Sequence, residues 1–120
     1  MKKMTVYFDG NKTPQDTSCT FVIIDAKDKQ HEETIKLPNE TTVPEAEYSG
    51  LINALKSFKK TKDVELDIYG DSQLIVRQIT GEYECKKAEL RVLRSQVRNL
   101  LNEFAKWKIT WVPRDLNKAK

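Results

Sequence analysis

The sequence predicts an α/β fold in which a five-stranded mixed sheet carries helices on both faces. Two observations support this prediction. Short runs rich in β-branched and aromatic residues fill the chain up to residue 37, and such runs are typical of strands. Beyond that point apolar residues recur at helical spacing in three segments, with two further strand-like runs among them. The predicted order is therefore βββαβααβ.

The first three predicted strands form an antiparallel meander, because only short polar turns connect them. These strands span residues 3–9, 18–26 and 30–37. The third is the most polar, which is typical of the edge of a sheet. It contains the histidine of the chain, His31, which we expect at the surface. Cys19 lies in the second strand and is expected to be a small core residue.

The later elements alternate between helix and strand. The predicted helices span residues 44–58, 71–80 and 86–104, and the remaining strands span 64–70 and 107–111. Thr42 is the expected N-cap of the first helix, Pro44 suits its first turn, and Gly81 stops the second helix. Strands that follow helical crossovers lie parallel to their partners. In the last strand Trp107 and Trp111 are at strand spacing, and we expect both in the core.

Length and composition favour one globular domain over residues 1–120. No apolar run approaches the ~20 residues that cross a bilayer, and Met1-Lys2-Lys3 is not followed by the apolar stretch of a signal peptide. We therefore expect a cytoplasmic monomer without a membrane partner, in which Cys19 and Cys85 are thiols. The net charge of +3 is mild, but basic residues crowd the segment 86–98. This run is either a solvated helix face or a contact for a polyanion.

Three acidic residues stand where predicted elements begin or end. Asp9 ends the first strand, Asp71 ends the fourth, and Glu47 lies in the first turn of the first helix. Because ligands of α/β sheets bind at the carboxyl ends of the strands, the three carboxylates converge if the first and fourth strands are neighbours. Such a cluster favours Mg²⁺ or Mn²⁺. Taken singly, each acid also suits a helix cap, a turn or a helix dipole.

Four segments of the chain carry the motifs of a known family. They are Val6-Tyr7-Phe8-Asp9-Gly10, Thr41-Thr42 with Ala46-Glu47-Tyr48, Asp71-Ser72-Gln73-Leu74-Ile75-Val76-Arg77-Gln78-Ile79 with Gly81 and Tyr83, and Val112-Pro113-Arg114-Asp115-Leu116-Asn117-Lys118-Ala119. Through them the chain resembles the ribonuclease H family, and specifically its type 1 branch in archaea and bacteria. The resemblance covers nearly the whole chain and implies a ribonuclease H-like fold.

The resemblance implies an endonuclease that hydrolyses the RNA strand of RNA/DNA hybrids with two Mg²⁺ or Mn²⁺ ions, leaving 5′-phosphate and 3′-hydroxyl ends. In two-metal hydrolysis one ion activates the attacking water and the other stabilises the leaving oxygen. By position, Asp9 is implied to bridge both ions, while Glu47 and Asp71 hold them from either side.

The resemblance and the basic residues together indicate nucleic-acid contacts. The candidates are Asn11, Lys12, Thr42, Gln73, Lys87 and Arg114. Thr42 is implied to contact a backbone phosphate, and Gln73 the base edges in the minor groove of the hybrid. Asn11 or Lys12 is expected to reach a 2′-hydroxyl or a phosphate. Arg114 is the candidate for handling phosphate at the last loop.

The chain departs from the family pattern at its last residue. Lys120 stands where the family has a fourth acid followed by a C-terminal helix, and a lysine supplies no ligand for a dication. We therefore expect a domain that lacks this helix. Three explanations remain open: a weakened enzyme, an altered chain end, or a domain that binds hybrids without cutting them well. Asp115 is an alternative fourth ligand, and a protein-interaction domain with incidental acids is a further hypothesis.

Overall fold

The computed structural model describes all residues from Met1 to Lys120 and contains the eight predicted elements in the predicted order. They are β1 (Lys2–Lys12), β2 (Thr17–Ile24), β3 (Gln30–Leu37), α1 (Val43–Lys56), β4 (Val64–Gly70), α2 (Gln73–Thr80), α3 (Ala88–Leu101) and β5 (Lys106–Trp111). A short 3-10 helix, Arg114–Leu116, follows β5. The strands form one mixed sheet in the order β3-β2-β1-β4-β5, which confirms the predicted fold class. None of the helices has the length and apolar character needed to span a membrane.

The central strand, β1, takes part in two ladders of different length. It pairs in parallel with β4 only as far as Phe8, opposite Gly70, whereas its antiparallel ladder with β2 continues to Lys12, opposite Thr17. β1 is therefore longer than predicted, because residues 10–12 extend the hairpin instead of forming a loop. A tight turn closes that hairpin, with a backbone hydrogen bond of 2.7 Å from the nitrogen of Thr13 to the carbonyl of Asp16.

The three helices lie on one face of the sheet, which differs from the predicted placement on both faces. The reason is topological: the crossovers from β3 to β4 and from β4 to β5 both move in the same direction along the sheet. Since parallel crossovers are right-handed, both then place their helices on the same side. Alternate side chains on that side, such as Val6, Phe8 and Ile68, join buried residues of all three helices in one core cluster. On the opposite face the rings of Tyr7 and Tyr69 stack, with centroids 5.2 Å apart.

Helix boundaries depend on capping residues, two of which were predicted. Thr42 is the N-cap of α1 and forms a capping box with Glu45. Glu45 is therefore the acid of the first turn, and Glu47, two residues further on, lies just past the turn in which it was predicted. Gly81 ends α2 in the left-handed conformation, with φ 89°. Ser72 caps α2 by accepting a hydrogen bond from the nitrogen of Ile75 at 3.3 Å. The Asp71 carboxylate is therefore not needed as a cap.

Burial confirms the prediction for Cys19 and contradicts the one for the two tryptophans. Cys19 is buried, and burial raises the pKa of its thiol to about 11, which makes it unreactive. Trp107 and Trp111 are 38% and 41% exposed, whereas Ile109 between them is buried. β5 is an edge strand with one neighbour, so side chains at its two ends are covered from one side only.

Candidate functional site

Three carboxylates from distant parts of the chain converge beside the carboxyl ends of β1 and β4. Asp9, Glu47 and Asp71 each contribute an oxygen, and these oxygens lie within 4.8 Å of one another. Asp9 and Glu47 are buried, while Asp71 is partly exposed. Asp9 lies inside β1 and not at its end, but it is the first residue past the parallel ladder with β4. The β1–β4 ladder therefore ends directly before Asp9 and Asp71, so both carboxylates lie at its carboxyl end.

The close approach of α1 to β1 depends on Gly10. A Cβ atom at Gly10 would lie 2.8 Å from the Cβ of Ala46 and closer still to the backbone nitrogen of Glu47. Both distances are below those that real Cβ contacts adopt. The absence of a side chain at this position therefore allows the helix to bring Glu47 beside Asp9.

The electrostatics of this acidic group are unfavourable without a cation. Burial, reinforced by the charge of Asp9, raises the pKa of Glu47 to about 8. Burial and then the charge of Asp71 raise the pKa of Asp9, while the Arg114 guanidinium opposes the rise. The Asp9 Oδ1 and Glu47 Oε2 atoms are buried without a hydrogen-bond partner. Clustered carboxylate oxygens that lack donors are the ligand set preferred by Mg²⁺ and related hard cations, so these residues fit a divalent metal.

Arg114 is the cation that contacts the acidic group. Its Nη1 atom lies 3.5 Å from Asp9 Oδ1 and donates a hydrogen bond of 3.3 Å to Asp71 Oδ2. The Arg114 side chain is nevertheless 61% exposed. Arg114 was predicted to contact phosphate. In the structure it contacts Asp9 and Asp71, two of the candidate metal ligands.

Two further hydrogen bonds fasten the end of β5 and the segment after it to the site. The indole nitrogen of Trp111 donates to the carbonyl of Asp71 at 3.0 Å. The side-chain nitrogen of Asn117 donates to the carbonyl of Phe8 at 2.9 Å, and its oxygen accepts from the nitrogen of Ala119. Asn117 is buried, and Phe8 directly precedes Asp9. These bonds set the position from which Arg114 extends toward the carboxylates.

The other predicted nucleic-acid contacts occupy different surroundings. Asn11, Thr42, Gln73 and Lys87 are exposed. Thr42 and Gln73 stand at the N-termini of α1 and α2, where unpaired backbone N–H groups favour anions. Lys12 is also exposed.

The Lys12 ammonium group donates to the carbonyls of Asn39 and Thr41, the latter at 3.0 Å. Lys12 therefore holds the loop that leads to the N-cap of α1, a role that the sequence did not indicate.

Asp115 lies outside the acidic group, although it was considered as a fourth ligand. It is exposed in the 3-10 helix, and its backbone carbonyl accepts a hydrogen bond of 3.3 Å from Lys120 Nζ. The described cluster of potential metal ligands at this site thus consists of Asp9, Glu47 and Asp71.

The chain is similar to characterised proteins over most of its length. The model of a family described as "Reverse transcriptase-like" matches residues 7–119. Over 117 residues the chain is 32% identical to the ribonuclease HI of Halobacterium salinarum, a match that covers 96% of this chain and 59% of that protein. The chain therefore spans only about three fifths of the length of this relative.

Solved structures share the fold. The RNase H1 from the halophilic archaeon Halobacterium salinarum NRC-1 matches with a TM-score of 0.77 at 30% identity, over 98% of this chain and 90% of that one. LC11-RNase H1, solved in complex with an RNA/DNA hybrid, matches with a TM-score of 0.85 at 29% identity, over 96% of this chain and 88% of that one.

Proposed function

The chain belongs to the ribonuclease H family, and from this premise we propose that it is a divalent-metal-dependent endoribonuclease that hydrolyses the RNA strand of RNA/DNA hybrids. The observation that carries the proposal is the convergence of oxygens of Asp9, Glu47 and Asp71 within 4.8 Å, where one buried oxygen each of Asp9 and Glu47 has no hydrogen-bond partner. Burying carboxylates without donors is costly, so an arrangement of this kind is expected where a cation compensates it.

In this proposal Asp9, Glu47 and Asp71 are the catalytic residues that hold the metal. Two Mg²⁺ or Mn²⁺ ions would supply the activation of water and the stabilisation of the leaving oxygen, giving 5′-phosphate and 3′-hydroxyl ends. The protein contributes the framework. Gly10 allows α1 to approach the sheet closely, Trp111 fastens the end of β5 to Asp71, and Asn117 fastens the segment after β5 to Phe8.

The proposed substrate is an RNA/DNA hybrid, supported by the hybrid bound in the LC11-RNase H1 structure. Thr42 and Gln73 are proposed to contact the hybrid from the N-termini of α1 and α2, the first at a phosphate and the second in the minor groove, where RNA exposes 2′-hydroxyls. Asn11 on the β1–β2 hairpin and Lys87 before α3 are proposed as further contacts. A cytoplasmic location and a monomeric state stay predictions.

The test is cleavage of an end-labelled RNA/DNA hybrid in Mg²⁺ and in Mn²⁺. We expect Asp9→Asn to lower the cleavage rate by more than about a hundredfold. Mutation of residues that only hydrogen-bond a metal ligand already lowers metal affinity or activity by ~10–100-fold. Asp67→Asn is the matched control, because Asp67 lies on β4 outside the acidic group. Folded wild-type protein that cuts the hybrid with neither metal would contradict the proposal.

The second candidate function is hybrid binding without efficient cleavage. It is favoured by the composition of the cluster, which contains three acids where the family pattern has four. In addition, Arg114 forms ion pairs with two of the three acids. This candidate predicts salt-sensitive hybrid binding that needs no metal.

The variant Lys120→Asp, assayed in Mn²⁺, distinguishes the two functions. A large gain in cleavage rate would indicate a working three-acid site that lacks one ligand. Binding without cleavage in both proteins would favour the binding module.

A further inference from the structure

We propose that Arg114 is a built-in counter-ion of the acidic group, and that it competes with divalent cations for Asp9 and Asp71. Metal binding is then an exchange, in which the guanidinium group leaves as the cation enters. This inference rests on the proposed function, since it assumes that the acidic group holds the metal.

The position of one nitrogen atom carries the argument. Arg114 Nη1 lies 3.5 Å from an oxygen of Asp9 and 3.3 Å from an oxygen of Asp71, so a single positively charged group is shared by the two carboxylates. A cation that binds both residues has to approach the same pair of side chains. At separations of this size two positive groups repel strongly, so Arg114 and a dication do not share the position.

Arg114 is the only basic residue within ion-pair distance of these acids. The neighbouring lysines of the last segment are directed elsewhere: Lys118 Nζ lies over the ring of Tyr7, and Lys120 Nζ donates to the carbonyl of Asp115. The compensation that Arg114 provides is incomplete, because Asp9 Oδ1 still lacks a hydrogen bond. One guanidinium thus faces three carboxyl groups, and the carboxylate oxygens that it leaves without a donor can attract a cation of higher charge.

The local structure allows the exchange. The Arg114 side chain is 61% exposed, so it can turn toward solvent. Its backbone is held independently of the guanidinium, since the carbonyl of Arg114 accepts a hydrogen bond from the nitrogen of Asn117, whose side chain is bonded to Phe8. The side chain can thus withdraw while the segment stays in place.

The first test is calorimetric titration of the nucleic-acid-free protein with MnCl₂. We expect Arg114→Gln to bind Mn²⁺ about tenfold more tightly than the wild type, which corresponds to about 1.4 kcal/mol. Lys120→Gln is the matched control, because it removes one positive charge of the same segment that does not contact the acids. Equal or weaker Mn²⁺ binding by Arg114→Gln would overturn the proposal, as would an equal gain in the Lys120→Gln control.

Thermal unfolding provides an independent measurement and separates a counter-ion from a purely structural arginine. In EDTA we expect Arg114→Gln to melt a few degrees below the wild type, since the acids lose their compensation. In saturating Mn²⁺ the difference should vanish or reverse. An equal loss in both conditions would indicate a structural role and overturn the proposal.

Should Arg114→Gln fail to fold, Arg114→Met removes the same charge and is measured in the same way. Wild-type protein that binds no Mn²⁺ would contradict the metal site itself, whereas equal Mn²⁺ affinity of wild type and variant would contradict the counter-ion alone.

Discussion

The acids and the arginine of the site are held by two regions of different character. Asp9 and Glu47 are buried in the β1–α1 contact, and the strand ladders and Gly10 fix their positions. Arg114 projects from an exposed 3-10 helix that a few hydrogen bonds fasten to the sheet. From this difference in burial we expect Asp9 and Glu47 to be rigid and the Arg114 side chain to be adjustable.

The largest effect is expected in the rigid region, from Gly10→Ala. The added Cβ would lie closer to backbone atoms of α1 than real Cβ contacts allow, so the helix must shift and we expect a loss of about 3 kcal/mol in the free energy of unfolding. Gly81→Ala is the control, because its Cβ would make only an ordinary contact with Arg98 Nη2, at 3.9 Å, and the left-handed backbone would cost the alanine about 1 kcal/mol. Urea unfolding measures both. A Gly10→Ala loss no larger than the control would show that α1 shifts easily and that the region is not rigid.

The anchor of the adjustable region is tested by Asn117→Ala. This change leaves the carbonyl of Phe8 and the nitrogen of Ala119 without their partners, for which we expect a loss of about 2 kcal/mol. Hydrogen exchange of residues 112–120 should increase, while that of β1 should change little. Asn53→Ala, which removes a side-chain bond within α1, is the control and should leave the segment protected.

The buried carboxyl of Glu47 predicts a pH dependence of the metal-free protein. Its folded pKa of about 8 lies above the ordinary value of 4.5, so the folded state binds a proton that the unfolded state has released. Stability in EDTA should therefore fall as the pH rises between these two values, by about 1.4 kcal/mol per pH unit.

Glu47→Gln should flatten the slope, and saturating Mn²⁺ should do so in the wild type by favouring the ionised form. Denaturant midpoints at a series of pH values measure this. A wild-type slope in EDTA that Glu47→Gln leaves unchanged would assign the titration to another group.

The smallest effect is expected for Lys12→Met. Loss of the bonds to Asn39 and Thr41 frees an exposed loop, so we expect a cost of about 0.5 kcal/mol and faster hydrogen exchange in residues 39–45. If the loop positions Thr42 for the hybrid, KM should rise while kcat stays near its wild-type value. Lys36→Met removes a surface ion pair with Asp16 and serves as the control. An unchanged exchange rate in the loop would rule out the positioning role.

Local patterns were sufficient to predict the rigid region. The acids are located by strand-like runs that end near Asp9 and Asp71 and by the helical period that follows Pro44. The rule that ligands bind at the carboxyl ends of strands then predicts that the three acids meet. The capping box of Thr42 and Glu45 was also present as a sequence pattern, but the first-turn role was assigned to Glu47 instead.

The adjustable region was not predictable in the same way. No periodicity describes residues 112–120, so the contact of Arg114 with Asp9 depends on the reach of one long side chain across the sheet edge. The exposure of Trp107 and Trp111 and the placement of the helices depend on strand order, which local patterns do not specify. The spacing of apolar residues predicts whether a segment forms a helix or a strand, but not which other elements it contacts.

The hydrogen bond from Trp111 to the carbonyl of Asp71 gives this molecule an intrinsic optical probe. If a dication replaces the guanidinium beside Asp71 as proposed, the local field at the Trp111 indole changes, so its emission spectrum should respond to titration with the metal. Trp107, near the opposite end of β5, adds a second indole emission that should respond less to the metal. The occupancy of the site can thereby be followed in the native chain without an attached dye.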